Sequence, residues 1–133
     1  MLVSGAFDKV GSTPKRCLAR FEANGSLDAN YNFAAPSDVL SVGPTAPLAD
    51  NSLYAVLGHG NDPSVIPSGN SSNSLVRISA NGQLDANFSP AIDISYVVSP
   101  GLFLQNDKPL IWWNSEQEVV DGRFPVYRLN SDG

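Results

Sequence analysis

The chain repeats itself. Residues 18–31, LARFEANGSLDANY, align with residues 75–88, LVRISANGQLDANF, at an offset of 57, and nine of the 14 positions are identical. A third copy opens at Val126 as VYRLNSDG. The spacing also holds outward: Asp28 to Asp50 and Asp85 to Asp107 both span 22 residues, and the same offset sets Leu53 and Tyr54 over Leu110 and Ile111. A unit of roughly 55 residues cannot bury its apolar surface alone, so this period calls for stacked units that share a core. The units run approximately 1–54, 55–111 and 112–133, the third incomplete. Length varies in one connection only, 5–18, 58–75 and 115–126, as expected where a surface loop absorbs insertions.

Composition decides the element type. Gly, Pro, Asn, Ser and Asp make up 60 of the 133 residues, and Asp outnumbers Glu ten to three. Asn, Asp and Ser compete with a helical backbone for hydrogen bonds, whereas Glu favours helix, so the balance predicts many short strands joined by turns. Each unit reads as a strand at 53–57 (110–113 in the next), the variable loop, a strand at 75–79, a tight turn, and an extended stretch at 39–42 or 92–99. The turn carries Asn24-Gly25 and Asn81-Gly82, a pair that supplies positive φ in hairpins; the third copy has Asp132-Gly133.

Alternation within the second strand places Leu18 and Arg20 on one face and Ala19 and Phe21 on the other, where the later copies put Val76, Ile78, Tyr127 and Leu129. Apolar residues on both faces call for cover on both sides, as in a blade sandwiched between blades. The expected fold is therefore all-β, an antiparallel repeat array forming a partial β-propeller of about two and a third blades.

The units resemble the bacterial delta-60 repeat family, whose pattern runs Gly-x-Phe, a loop, Ala-Arg-Leu-Asn-x-Asp-Gly-Ser-Leu-Asp-x-x-Phe, then Gln-x-Asp-Gly-Lys-Ile-Leu. The corresponding pieces are Gly5-Ala6-Phe7, Ala19-Arg20-Phe21, Asn24-Gly25-Ser26-Leu27-Asp28, Arg128-Leu129-Asn130-Ser131-Asp132-Gly133 and Gln105-Asn106-Asp107-Lys108. The first motif degenerates to Gly58-His59-Gly60 and Ser115-Glu116-Gln117 in later units, and Gly-Lys is absent after Asp50. The resemblance implies a propeller-like segment of a large secreted or surface protein, often beside adhesion modules, and it brings no catalytic residues.

The motif residues themselves, Arg20, Asn24, Gly25, Leu27 and Asp28 with Arg77, Asn81, Gly82, Leu84, Asp85 and Arg128, read as structural. Arg20 precedes Asp28 by eight residues, as Arg77 precedes Asp85, so each pair is expected to meet across its hairpin. The alternation Asn24, Ser26, Asp28, Asn30 looks like a calcium loop, but Ala35 stands where that loop needs a bidentate Glu; calcium is the one cofactor the pattern raises, and no metal site is assigned. His59, the single histidine, shares the 58–74 loop with Asp62 and several serines, and no known triad order sets a nucleophile against it, so it reads as a solvated loop residue. Glu116, Glu118 and Asp121 form the one local acidic cluster, without assignable acid and base roles. Adjacent Trp112 and Trp113 point to opposite faces; stacking on a sugar is weighed against packing between blades, which is favoured because the repeat offset aligns them with Ala55 and Val56. Cys17 is expected to be a small buried strand residue. His59, Asp62, Trp112 and Trp113 are thus the binding candidates, and the catalytic assignment is empty.

A net charge of −5, with eight Lys and Arg scattered along the chain, offers a polyanion no patch to grip, which argues against nucleic acid. No apolar run approaches the length of a membrane span. Met1 enters directly on a strand and Gly133 ends on a turn, so the sequence reads as a piece of a longer array whose first partners are further repeats of the same polypeptide. Three copies closing a ring would omit the stretch equivalent to 26–54 at each junction, which disfavours closure by oligomerisation. The functional expectation is a non-catalytic scaffold offering a binding or adhesion surface to carbohydrate or protein. It is extracellular by resemblance, although composition leaves a cytoplasmic home open. Its rivals are a piece of a propeller enzyme acting on polysaccharide and a purely structural spacer.

Overall fold

The computed structural model describes residues 1–60, 72–95, 97, 99–113 and 126–133. Within them lie ten strands and no helix: β1 (Leu2–Ser4), β2 (Lys9–Val10), β3 (Thr13–Pro14), β4 (Leu18–Arg20), β5 (Val39–Pro47), β6 (Leu53–His59), β7 (Ser72–Ile78), β8 (Gly101–Gln105), β9 (Lys108–Trp112) and β10 (Val126–Arg128). All pairings are antiparallel. β1 pairs β4, β6 lies between β5 and β7, and β9 lies between β8 and β10. These three sheets are blades I, II and III. The small β2–β3 hairpin sits in the variable loop of blade I. Sequence units and sheets are out of phase, because β5 ends the first unit yet pairs with β6, which opens the second.

A short fourth rung follows the second strand of the first two units, Phe21 bridging Leu27 and Ile78 bridging Leu84. The turn between them differs from the expected hairpin in one respect. Gly25 donates to Glu22 O and Glu22 donates to Ser26 O; Gly82 donates to Ser79 O and Ser79 donates to Gln83 O. This is a three-residue loop closed by a glycine bulge, so positive φ falls on Gly25 (84°) and Gly82 (93°) and not on the asparagines. Asn24 and Asn81 serve through their side chains instead. Asn24 Oδ1 accepts from the Ser26 amide at 3.0 Å, and Asn81 Oδ1 from the Ser79 hydroxyl at 2.6 Å.

Two cores separate the three blades. Leu18, Tyr31, Phe33, Val39, Leu53, Leu57 and Ile78 fill the space between I and II, and Tyr54, Val56, Leu75, Phe88, Ile111, Trp113 and Leu129 the space between II and III. Blade II is therefore covered on both faces, as the doubly apolar pattern requires. Full burial of such a side chain contributes about 1.5–3 kcal/mol, and the two cores are what hold one sheet against the next.

Two expectations are corrected. Among the described residues of 92–99 none lies in a strand, and Ile94 and Val97 are buried; the strand is Gly101–Gln105, immediately after Pro100. The alignment of the first strands also slips by one residue. Arg77 pairs with Tyr54 and Arg128 with Leu110, so Leu110 takes the place of Tyr54 and Trp112 that of Val56. The cause is hairpin length. β5 and β6 close around three residues, with Leu48 donating to Ser52 O and Asn51 at φ 64°, whereas Gln105 pairs Lys108 around two positive-φ residues, Asn106 and Asp107.

Candidate functional site

Antiparallel register brings together three polar side chains that lie far apart in sequence. Val39 pairs with His59, which sets Asp38, the residue just before β5, beside the imidazole. Leu57 pairs with Ser74, so Ser74 shares a sheet face with His59 and lies diagonally across β7 from it. His59 Nδ1 is 2.9 Å from Asp38 Oδ2, and Nε2 is 2.7 Å from Ser74 Oγ. The Gly60 amide donates to Asp38 O at 3.0 Å and fixes the approach of the two strand ends. His59 is thus the last residue of β6 with both ring nitrogens engaged, not the solvated loop histidine expected, and sequence order gave no sign of the partners.

The hydrogen bond from His59 holds the Asp38 carboxyl below its ordinary range, with its own backbone amide and the charges of His59 and Arg16 acting in the same direction. Arg16 is pinned nearby, donating to the carbonyls of Pro36 (3.3 Å), Ser37 (3.0 Å) and Val39 (2.6 Å). An ionised carboxylate can only accept, so Nδ1 carries the proton that faces Asp38. In the neutral imidazole Nε2 then holds a lone pair, and the Ser74 hydroxyl donates to it. The His59 side chain is 21% exposed and that of Asp38 58%.

At the opposite edge lie the repeated arginines. Arg20 Nε donates to Asp28 Oδ2 at 2.7 Å, its Nη1 reaches Ala80 O on blade II at 2.8 Å, and its guanidinium carbon stands 4.6 Å from the centre of the Tyr31 ring. Asp28 Oδ1 also accepts from the Asn30 amide, and these contacts, Arg20 first, lower its pKa. The expected Arg–Asp pairing is met closely there. In blade II it is looser. Arg77 is 3.8 Å from Asp85 and turns toward Asp50 Oδ2 and Ser52 Oγ, both at 3.3 Å, on the wall of an open cleft of about 250 Å³ that Tyr54, Asp107 and Ser131 also line. Arg128 donates to Gln105.

The same edge carries a clasp between successive blades. Asn32 of blade I donates to Asn81 O and Ala34 to Gly82 O; one repeat later, Ser89 donates to Asp132 O. A Cβ on Gly82 would sit 2.6 Å from the Asn32 carbonyl, and one on Gly133 would strike the backbone of Ser89. Glycine here is required by close approach as well as by φ. The fold is a partial β-propeller.

A family model described as a domain of unknown function (DUF5122) beta-propeller matches residues 1–31 and 57–88. The first match runs from β1 through the Gly25 turn to Tyr31, and the second from Leu57, within β6, through β7 and the Gly82 turn to Phe88. No curated protein and no solved structure matches the chain.

The remaining candidates separate. Trp113 is buried in the core between blades II and III and stacks on Tyr127 with ring centres 5.0 Å apart, so it is not open to a ligand. Trp112 is 38% exposed on the outer face of blade III, 5.3 Å from Phe103, with Gly101 beneath its ring. It holds the place of Val56, which packs in the core between blades II and III. Cys17 is buried at φ 63° in the bend before β4, with Sγ 3.4 Å from Leu40 O. Asp62, Glu116, Glu118 and Asp121 lie outside the described residues.

Proposed function

We propose that this chain is a repeat scaffold of a bacterial secreted or surface protein, built to stack on further units of its own kind and to offer its variable-loop edge as a binding surface for carbohydrate or protein. The observation that carries the scaffold reading is the clasp, which occurs twice with equivalent residues. Asn32 and Phe33 close over Gly82, and Ser89 and Pro90 close over Gly133. The glycines whose added Cβ would strike backbone therefore join blades, and length variation is left to the loops between the first and second strands of each unit. The bacterial and extracellular part of the reading rests on the delta-60 resemblance of the repeat motifs.

Binding is tested by presenting the chain to an array of glycans and matrix proteins. A genuine loop-edge ligand should lose affinity at least tenfold when the exposed Lys9 of the β2–β3 hairpin is replaced by Glu, and keep it when Asn24 at the opposite edge is replaced by Ala. Absence of any saturable ligand would leave the chain a structural spacer.

A further inference from the structure

The core-facing side of β6 is apolar through Leu53, Ala55 and Leu57 and then turns polar at His59. A strand end that served packing alone needs no histidine there, still less one bonded at both nitrogens. The bonding order is carboxylate, imidazole, hydroxyl; the ionised Asp38 accepts from Nδ1, and in the neutral ring Nε2 accepts from Ser74 Oγ. Asp38 fixes the tautomer and orientation of the ring and stabilises positive charge on it; His59 Nε2 is positioned to take the Ser74 proton. The group is half-open to solvent and stands at the edge from which the variable loop departs, where propeller blades have room for function.

We propose that Ser74 is an activated nucleophile that transfers acyl groups from small esters to water, with His59 as its base and Asp38 as the group that orients His59. As Ser74 Oγ bonds to the ester carbonyl carbon, its proton passes to His59 Nε2. The carbon–oxygen bond to the alcohol breaks, the alcohol leaves with that proton, and an acyl-serine remains. Water then attacks the acyl carbon and gives a proton to Nε2. The bond to Oγ breaks, Oγ recovers the proton, and the carboxylic acid departs. No redox partner or metal is needed to balance either half. The scaffold reading neither requires this activity nor is required by it.

The test treats the folded chain with a fluorophosphonate, which forms an Oγ–P bond with loss of fluoride, and maps the adduct by mass spectrometry. p-Nitrophenyl acetate hydrolysis is followed in parallel. The expected result is a single adduct on Ser74, formed by the native chain and not in urea, slowed about 100-fold or more in His59→Asn and less in Asp38→Asn, with ester turnover lost in Ser74→Ala. Near-UV circular dichroism from the Trp113–Tyr127 stack reports whether each variant is folded. An unlabelled native chain, an adduct on Ser72 or another serine, equal labelling in urea, or labelling of folded His59→Asn at the native rate overturns the proposal. The urea comparison needs no variant, so it decides between activation and chance labelling even where a substitution unfolds the chain.

Discussion

Tyr31 and Phe88 hold the same place in successive units, and the hydroxyl that distinguishes them has no hydrogen-bond partner among the described residues although it is buried. Burial pushes the Tyr31 pKa up to about 12, against a smaller opposing effect of the Arg20 charge. An unfolded tyrosine ionises near pH 10, so between about pH 10 and 12 the unfolded chain sheds a proton that the folded chain keeps, and stability falls as pH rises through that window. Replacing Tyr31 by Phe removes an unsatisfied buried group while leaving an aromatic face under Arg20. The expected melting temperature of Tyr31→Phe is equal to or up to about 3 °C above that of the parent at pH 7, with the advantage widening at pH 11. A lower value at pH 7 would mean that the hydroxyl is satisfied after all. At this scale the sequence was most legible where partners are local. The eight-residue spacing of Arg20 and Asp28 spans one hairpin and foretold their contact; Asp38, His59 and Ser74 are separated by 21 and 15 residues, and only strand register aligns them.

The elements were legible where turn chemistry is strong and less so where it is degenerate. Both Asn-Gly turns formed where expected, yet in the three-residue form, because a glycine bulge needs one left-handed residue and frees asparagine to cap the loop. The one-residue slip between β6 and β9 had no signal in the repeat offset, since Asp50 and Asp107 both sit in turns that differ in length by one residue. The clasp makes the two turns unequal in consequence. Gly25 and Gly82 both have positive φ, so alanine at either should cost about 1–2 kcal/mol for conformation alone. At Gly25 an added Cβ meets nothing within 4 Å, whereas at Gly82 it meets the Asn32 carbonyl and the Phe33 amide at 2.6–2.8 Å. Gly82→Ala must therefore push blades I and II apart and is expected to destabilise the chain by at least about twice as much as Gly25→Ala, measured by urea unfolding. Equal losses would show that the clasp contributes no more than turn conformation.

For the molecule as a whole, the apolar pattern on both strand faces correctly implied sheets stacked on sheets, and its meaning changes with position in the stack. Blade II is sealed by both neighbours, but on blade III the residues that would continue the series, Phe103, Trp112 and Val126, are 45%, 38% and 57% exposed. A sheet face this apolar favours association with another surface. Trp112 covers Gly101 at the centre of the ledge, and its neighbour Trp113 points the other way into a closed core, so the two indoles report on different surfaces. Acrylamide should quench one emitting population and spare the other, and Trp112→Lys should remove the quenched population while the Trp113–Tyr127 dichroism persists. The same substitution places a charge where a neighbouring apolar face would dock. Sedimentation velocity of the parent chain should then rise with concentration, and that of Trp112→Lys should stay flat. If both rise alike, the ledge is not the surface through which copies of this chain associate.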